Sequence, residues 1–441
     1  MNPTLSACEA AAAIRSGTLT SVDLVQQCIA RIEEIEDTVR AWAFFDPAYA
    51  LHQALEADRL QLANAPLGAL HGIPVGIKDI FDTSDMPTEC GTVLHAGRTP
   101  VEDAAAVALL RAAGAVIMGK TVTTELAVYS PGKTRNPHDP SHTPGGSSSG
   151  SAAAVAAQMV PLAIGSQTNG SVIRPAAYCG VYGYKPTHGL VSLYGALAQS
   201  APLDTIGMFA RNIEDLALIA EHLMVYDGRD PNQRQRARAI LVDTVAQQSP
   251  APPRIAFVKT PIWPKADAET QETFTQLAQQ LGSRVTEVSL PDWFAEAIEW
   301  HGTIMQSDLA KSFAREYERG RDRLSSTLRN MIENGQKCLA VDYNRALDHA
   351  RRLNQDLQQI FAGYDVILTP ATTGTAPRGL EATGSPVFCT LWTLTGVPAI
   401  SLPLLKGMNG LPLGVQLVAA KGDDARLLRT ARWLAKHAMP E

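Results

Sequence analysis

Residues 143 to 175, TPGGSSSGSAAAVAAQMVPLAIGSQTNGSVIRP, constrain the fold of this chain more than any other stretch. They open on a Gly/Ser loop with almost no side-chain bulk. An Ala-rich segment of helical character follows, then an apolar segment of strand character. The stretch closes on a second small-residue turn, Gln167-Thr168-Asn169-Gly170-Ser171. Glycine accepts backbone geometries closed to other residues and lets a chain approach a ligand or another chain closely. Two such loops at the ends of a packed helix and strand hold serines together on rigid supports, as a catalytic centre requires.

The remaining chain reads as a frame for that stretch. Residues 1–65 read as helices, with Ser21 able to cap SVDLVQQCIARIEEIE, whose apolar residues recur at helical spacing. Ile73-Pro74-Val75-Gly76-Ile77 reads as a short buried strand that delivers Lys78 and Asp79 at its end. On spacing alone Lys78 reads as a surface residue opening a loop, because buried lysines are rare. The segment 101–129 has the helix–Gly–strand rhythm of a largely parallel sheet covered by helices. Residues 130–142 are an irregular Pro/Asn/Asp-rich crossing, and Asn212 caps a helix with Glu214 and Asp215 in its first turn. After a polar linker at 227–253, RIAFV reads as a strand, and 266–283 and 294–361 as mostly helical. Three strand-like pieces and a closing helix end the chain. The final strands need an existing sheet to join. The expectation is therefore one α/β domain, a central twisted mixed β-sheet with helices on both faces. Its parts are a helical part (1–65), a catalytic core (66–225), a variable, mostly helical region (226–361) and completing strands and helix (362–441).

Composition excludes several classes. The 441 residues are 45% hydrophobic and 19% charged, enough for a sizeable core. A net charge of −6 argues against a nucleic-acid or anionic-membrane surface. No run of apolar residues is long enough to span a bilayer, and the N-terminus does not read as a signal peptide. Six scattered cysteines form no CxxC pair, so neither a zinc site nor a disulfide framework is expected. A cytoplasmic, metal-free protein without cofactor is expected, acting on a small molecule, with room for a homodimer.

Three readings compete for the central stretch. Gly146-Ser147-Ser148-Ser149-Gly150 matches the G-x-S-x-G nucleophile elbow, but SHTPGG before it cannot be the central strand that motif needs. A Gly/Ser loop opening a helix could cradle a phosphate, yet it lacks the Lys-Ser/Thr ending of a P-loop, so nucleotide binding is weakly signalled and a carboxylate or oxyanion ligand stays open. The third reading joins Lys78, Ser147 and Ser171. A serine hydroxyl needs an adjacent base, and an unperturbed lysine is only ~0.04% neutral at pH 7, a fraction that burial can raise. Cys179 reads as packed core. His71, Tyr129, Trp263, Trp293 and Trp300 read either as pocket lining or as packing.

The run GIPVGIKD, then PGGSSSGSAAAVA, then QTNGSVIRPA resembles the amidase signature family. Supporting matches are GK at 119–120, RNP at 135–137, CGVYGYKPT at 179–187, LDTIG at 203–207 and GVPAISLP…GLPLGVQLV. The resemblance spans most of residues 20–436 and fades between about 225 and 360. It implies amide hydrolysis without metal or organic cofactor, with Ser171 as nucleophile, Ser147, joined to Gly146 by a cis peptide bond, as bridge, and Lys78 as general base. It also implies an oxyanion hole from the N–H groups of Thr168, Asn169, Gly170 and Ser171.

This chain departs from the family pattern in two places. Gln167 and Asn169 replace the Asp and first Gly of Asp-Thr-Gly-Gly-Ser; Asn tolerates positive φ, so the turn can survive. Arg174 stands three residues after the nucleophile instead of two, which resembles malonamidase-like members whose matching Arg holds a substrate carboxylate. An arginine forks a carboxylate in bidentate geometry. The substrate expected is a small amide bearing an acid group. The bland alternative pairs Arg174 internally with an acidic side chain to brace the loop. Rival functions are the A-type component of a tRNA-dependent amidotransferase and an idle binding protein on the same fold.

Overall fold

The central stretch folds as loop, helix, strand, turn and second helix: Ser149–Ala156, then Leu162–Gln167, then Ile173–Cys179. All but the last residue of the first helix are buried. Its small side chains are what permit this: a Cβ on Gly150 would lie 2.3 Å from both Ala41 O and Val122 N, so the helix lies directly on neighbouring backbone. The structure, a computed structural model, describes residues 5–249 and 251–438.

Around this unit the chain builds an eleven-stranded sheet. Its strands are β1 (Trp42–Phe45), β2 (Pro74–Lys78), β3 (Val116–Thr121), β4 (Leu162–Gln167), β5 (Tyr182–Lys185) and β6 (Thr205–Ala210). They continue with β7 (Ile255–Val258), β8 (Val285–Val288), β9 (Val366–Pro370), β10 (Ala399–Lys406) and β11 (Pro412–Val418). The spatial order is β1-β3-β2-β4-β6-β5-β10-β11-β9-β7-β8. Pairs β2–β3, β2–β4, β7–β8 and β7–β9 are parallel, and the others antiparallel. The sheet is therefore mixed, and parallel pairing is confined to its two flanks. Strands β2, β3, β4 and β6 are buried along their whole length, as expected of strands covered on both faces.

Local expectations are corrected in four places. Residues 1–65 are not all helical, because Trp42–Phe45 pairs with β3 as an edge strand. Between the two mostly helical stretches, 266–283 and 294–361, an unread strand, Val285–Val288, continues the sheet beside β7, with two half-buried and two exposed residues at an edge and hence a weak pattern. Thr20, not Ser21, caps the helix Ser21–Val39, its side chain accepting from Asp23 N at 3.0 Å. Asn169 does not use positive φ; its side chain carries its contribution instead. Asn212 caps Ile213–Leu223 as read, and all six cysteines are free thiols.

Candidate active site

Strand β2 ends on Lys78, and β4, its parallel neighbour, runs into the second small-residue turn. Parallel pairing brings both ends to the same side of the sheet, where ligands bind in open α/β sheets. Lys78 is fully buried, which overturns the surface reading of this lysine. Its Nζ donates to Ser147 Oγ at 2.7 Å and to Ser166 Oγ at 2.9 Å. Burial pushes its pKa down to about 7, against the opposing pull of the Asp204 carboxyl.

The first Gly/Ser loop carries Ser147, joined to Gly146 by a cis peptide bond. Ser148 Oγ accepts from Ser166 N and donates to Ser166 O, both at 3.2 Å, and pins the loop to β4. A Cβ on Gly165 would stand 2.5 Å from that hydroxyl, so glycine is required for the approach. Ser148 N also donates to Ser171 O at 3.4 Å, drawing the two loops together. Exposure rises from 0% at Lys78 through 2% at Ser147 to 8% at Ser171, so Ser171 is the most accessible of the three. Among the described residues no hydrogen bond joins the Ser147 and Ser171 hydroxyls; catalytic hydrogen bonds often tighten only once substrate is bound.

The turn itself is braced on every side. Gln167 Oε1 accepts from Val172 N at 2.9 Å and Ile173 N at 3.0 Å, while Nε2 donates to Thr393 Oγ1 at 2.9 Å. The glutamine thus caps the following helix as a carboxylate would and also supplies a donor. Asn169 Nδ2 donates to the Tyr129 hydroxyl at 2.9 Å, and its Oδ1 accepts from Thr390 Oγ1 at 2.7 Å. Thr168 Oγ1 lies 2.6 Å from Asp204 Oδ1, and Thr168 O lies 2.9 Å from His301 Nε2. Burial raises Asp204 to about 6 and holds His301 down at about 4, so His301 is neutral and donates to the carbonyl. With these contacts made elsewhere, the N–H groups of Thr168, Asn169, Gly170 and Ser171 have no acceptor among the described residues.

Arg174 is 1% exposed and meets no acidic side chain among the described residues. Its Nη1 donates to Gly384 O at 2.9 Å, and its Nη2 to Gly146 O at 2.7 Å and Thr383 Oγ1 at 3.1 Å. Its Nε is buried without a partner. The bland pairing with a carboxylate is therefore absent, and burial lowers the guanidinium's pKa.

Beside the turn opens a cavity of about 930 Å³. Asn169, Tyr129 and Thr390 line its inner end, and helices Ala297–Ser312, Ser326–Gly335 and Ala340–Gly363 form its outer wall. Trp300 lines it, stacked on His349 with ring centroids 4.0 Å apart. Trp293 is instead bonded through its indole N–H to Asp356, and Trp263 packs edge-on against Phe257. His71 lies 3.0 Å from Ala57 O, away from the site. Cys179 is buried, with its thiol pKa pushed up by burial, as packed core should be. Ser166 and His301 were not singled out by sequence. Ser166 is a small polar residue near the end of a mostly apolar strand, and His301 lies 133 positions from its partner. Neither carries a local signal.

The Amidase family model matches residues 23–428. The A-type component of the Glutamyl-tRNA(Gln) amidotransferase of Chloroflexus aurantiacus is 34% identical over 468 residues, covering 96% of this chain and 95% of that protein. A chain solved in work on a vestigial protein complex and the origins of an s-triazine catabolic enzyme superposes with TM-score 0.91 at 27% identity, over 98% of both chains. The peptide amidase from Stenotrophomonas maltophilia superposes with TM-score 0.85 at 28% identity, over 99% of this chain and 98% of that one. The chain belongs to the amidase signature family. It is accordingly an amide hydrolase, acting on C–N bonds.

Proposed function

We propose that the protein hydrolyses a small amide bearing an acid group, through an acyl-enzyme on Ser171. The observation that carries the mechanism is the contact of Lys78 Nζ with Ser147 Oγ at 2.7 Å, in a place too buried for the ammonium form to be favoured. Neutral Lys78 takes the Ser147 proton as Ser147 Oγ takes that of Ser171. Ser171 Oγ then attacks the amide carbon, and the carbonyl oxygen gathers charge facing the N–H groups of residues 168–171. Collapse breaks the C–N bond, the proton returns through Ser147 to the leaving nitrogen, and ammonia or an amine departs. Water attacks the ester by the same relay, releasing the carboxylic acid and free Ser171. No step calls on a metal or organic cofactor. Six free thiols suit a reducing compartment, in keeping with a cytoplasmic location.

Arg174 supports the acid group. A buried guanidinium held only by neutral acceptors, with one N–H unpartnered, is a charge without a counter-ion. A substrate carboxylate would supply it. Ammonia release from a panel pairing each acid-bearing amide with its neutral analogue tests this. Wild type should favour the acid-bearing members, Ser171→Ala should be silent, and Arg174→Gln should lose the preference. Equal loss on both classes in Arg174→Gln would leave the arginine as a loop brace.

The identity to the A-type components of amidotransferases over nearly the whole chain favours one second reading, a glutaminase that works with partner proteins. Glutamine hydrolysis that appears only when partner proteins are added would favour it over the first.

A further inference from the structure

A second cavity, of about 530 Å³, lies behind the loop that follows Lys78. Its floor is tied to that loop, since Leu197 N donates to Ile80 O and Asp82 N to Gly195 O, each at 2.9 Å. Four arginines line it: Arg98, Arg315, Arg319 and Arg323. Among the described lining residues two carboxylates face them, and both are engaged. Asp82 forks Arg98 with contacts of 2.7 and 2.9 Å, and Glu316 meets His95 at 3.0 Å, leaving His95 Nδ1 buried and unpartnered.

Arg315, Arg319 and Arg323 have no ion pair or side-chain hydrogen bond among the described residues. Their neighbour Arg321 is different: it pairs with Glu333 at 2.6 Å, outside the cavity. Arg315 and Arg319 stand four apart in the helix Ala314–Gly320, and Arg323 follows it in the next turn, so all three cations converge on one concavity. In a chain of net charge −6 this is a local reversal of sign. A cleft in which one sign of charge is in excess over low-dielectric walls focuses its field on a ligand; here four arginines outnumber two carboxylates, and Ile80, Leu94 and Leu197 supply the apolar part. Guanidinium forks match carboxylate and phosphate oxygens bidentately. A volume of this order suits a small molecule, not a long polymer.

We infer that this cavity binds a small multivalent oxyanion, of the phosphate or polycarboxylate class. The site is separate from Ser171 and does not depend on the reading of the substrate. Titration calorimetry with pyrophosphate and with citrate, at constant ionic strength, tests it on wild type, on the double variant Arg319→Gln/Arg323→Gln, and on the remote control Arg59→Gln. Wild type and the control should bind at least one probe saturably, one per chain, and the double variant should bind about tenfold more weakly or worse. Amide turnover without added oxyanion should be the same in all three, which verifies that the variants fold. Absence of saturable binding to wild type, equal affinity in the double variant, or binding of an RNA duplex but neither small probe would each overturn the inference.

Discussion

Replacing Lys78 by Met should abolish turnover and stabilise the protein at neutral pH, two consequences of one burial. Lys78 sits fully inside the molecule with hydroxyls, not carboxylates, as hydrogen-bond partners, and its pKa falls from 10.5 to about 7. The unfolded lysine keeps its proton up to the ordinary value, while the folded one releases it near 7. Folding between those values expels a proton, so the lysine's cost to stability is full below pH 7 and fades as pH rises toward 10.5. The cost is roughly 4 kcal/mol at pH 7 and under about 1 kcal/mol at pH 10. Met fits the site in size and flexibility, though Ser147 and Ser166 lose a donor, at about 1 kcal/mol each at either pH. Urea unfolding of wild type and Lys78→Met at both pH values separates the two effects. The variant's relative stability should be higher at pH 7 than at pH 10 by about 3 kcal/mol. Loss of the general base should lower kcat by about a thousandfold or more. A stability difference that does not change with pH would refute the burial argument, whatever happened to activity.

The pH profile should follow the same group. The acid limb of kcat/KM should fall near pH 7, with activity rising as Lys78 loses its proton, and Asp204→Asn should move the limb lower by removing the charge that favours the ammonium form. Gln167→Leu should destabilise the fold by about 1–3 kcal/mol, because two N–H groups lose their acceptor, and should lower kcat more than it raises KM. Gln167→Glu, which retains the acceptor, should recover most of that activity. Trp300→Ala should cost about 3 kcal/mol and change selectivity among acyl groups while leaving Ser171 labelling intact, as expected of a cavity wall.

The candidate catalytic set was legible because each member sits in a distinctive local run: Lys78 after an apolar strand, Ser147 and Ser171 within glycine-rich turns that bulky residues would block. The flanking helices and buried strands were legible for the same reason, since periodicity and caps are local. What escaped depends on pairing across the chain. Trp42–Phe45 and Val285–Val288 are four-residue edge strands whose hydrogen bonds come from β3 and β7, and neither alternates strongly. Ser166 faces Lys78 only because β4 is held in register with β2 and β6. The role of Gln167 looked like a loss of the family's aspartate, yet its amide oxygen accepts from the N–H groups of Val172 and Ile173 where the next helix begins. Nothing around His301 announces that it will meet Thr168 O.

Peptide mapping after treatment with a serine-directed fluorophosphonate tests the central claim most directly. The Lys78–Ser147–Ser171 account predicts one adduct, on Ser171, absent in Ser171→Ala and formed far more slowly in Lys78→Met. An adduct on Ser147 or on another serine, or labelling of Ser171 at an undiminished rate without Lys78, would contradict it.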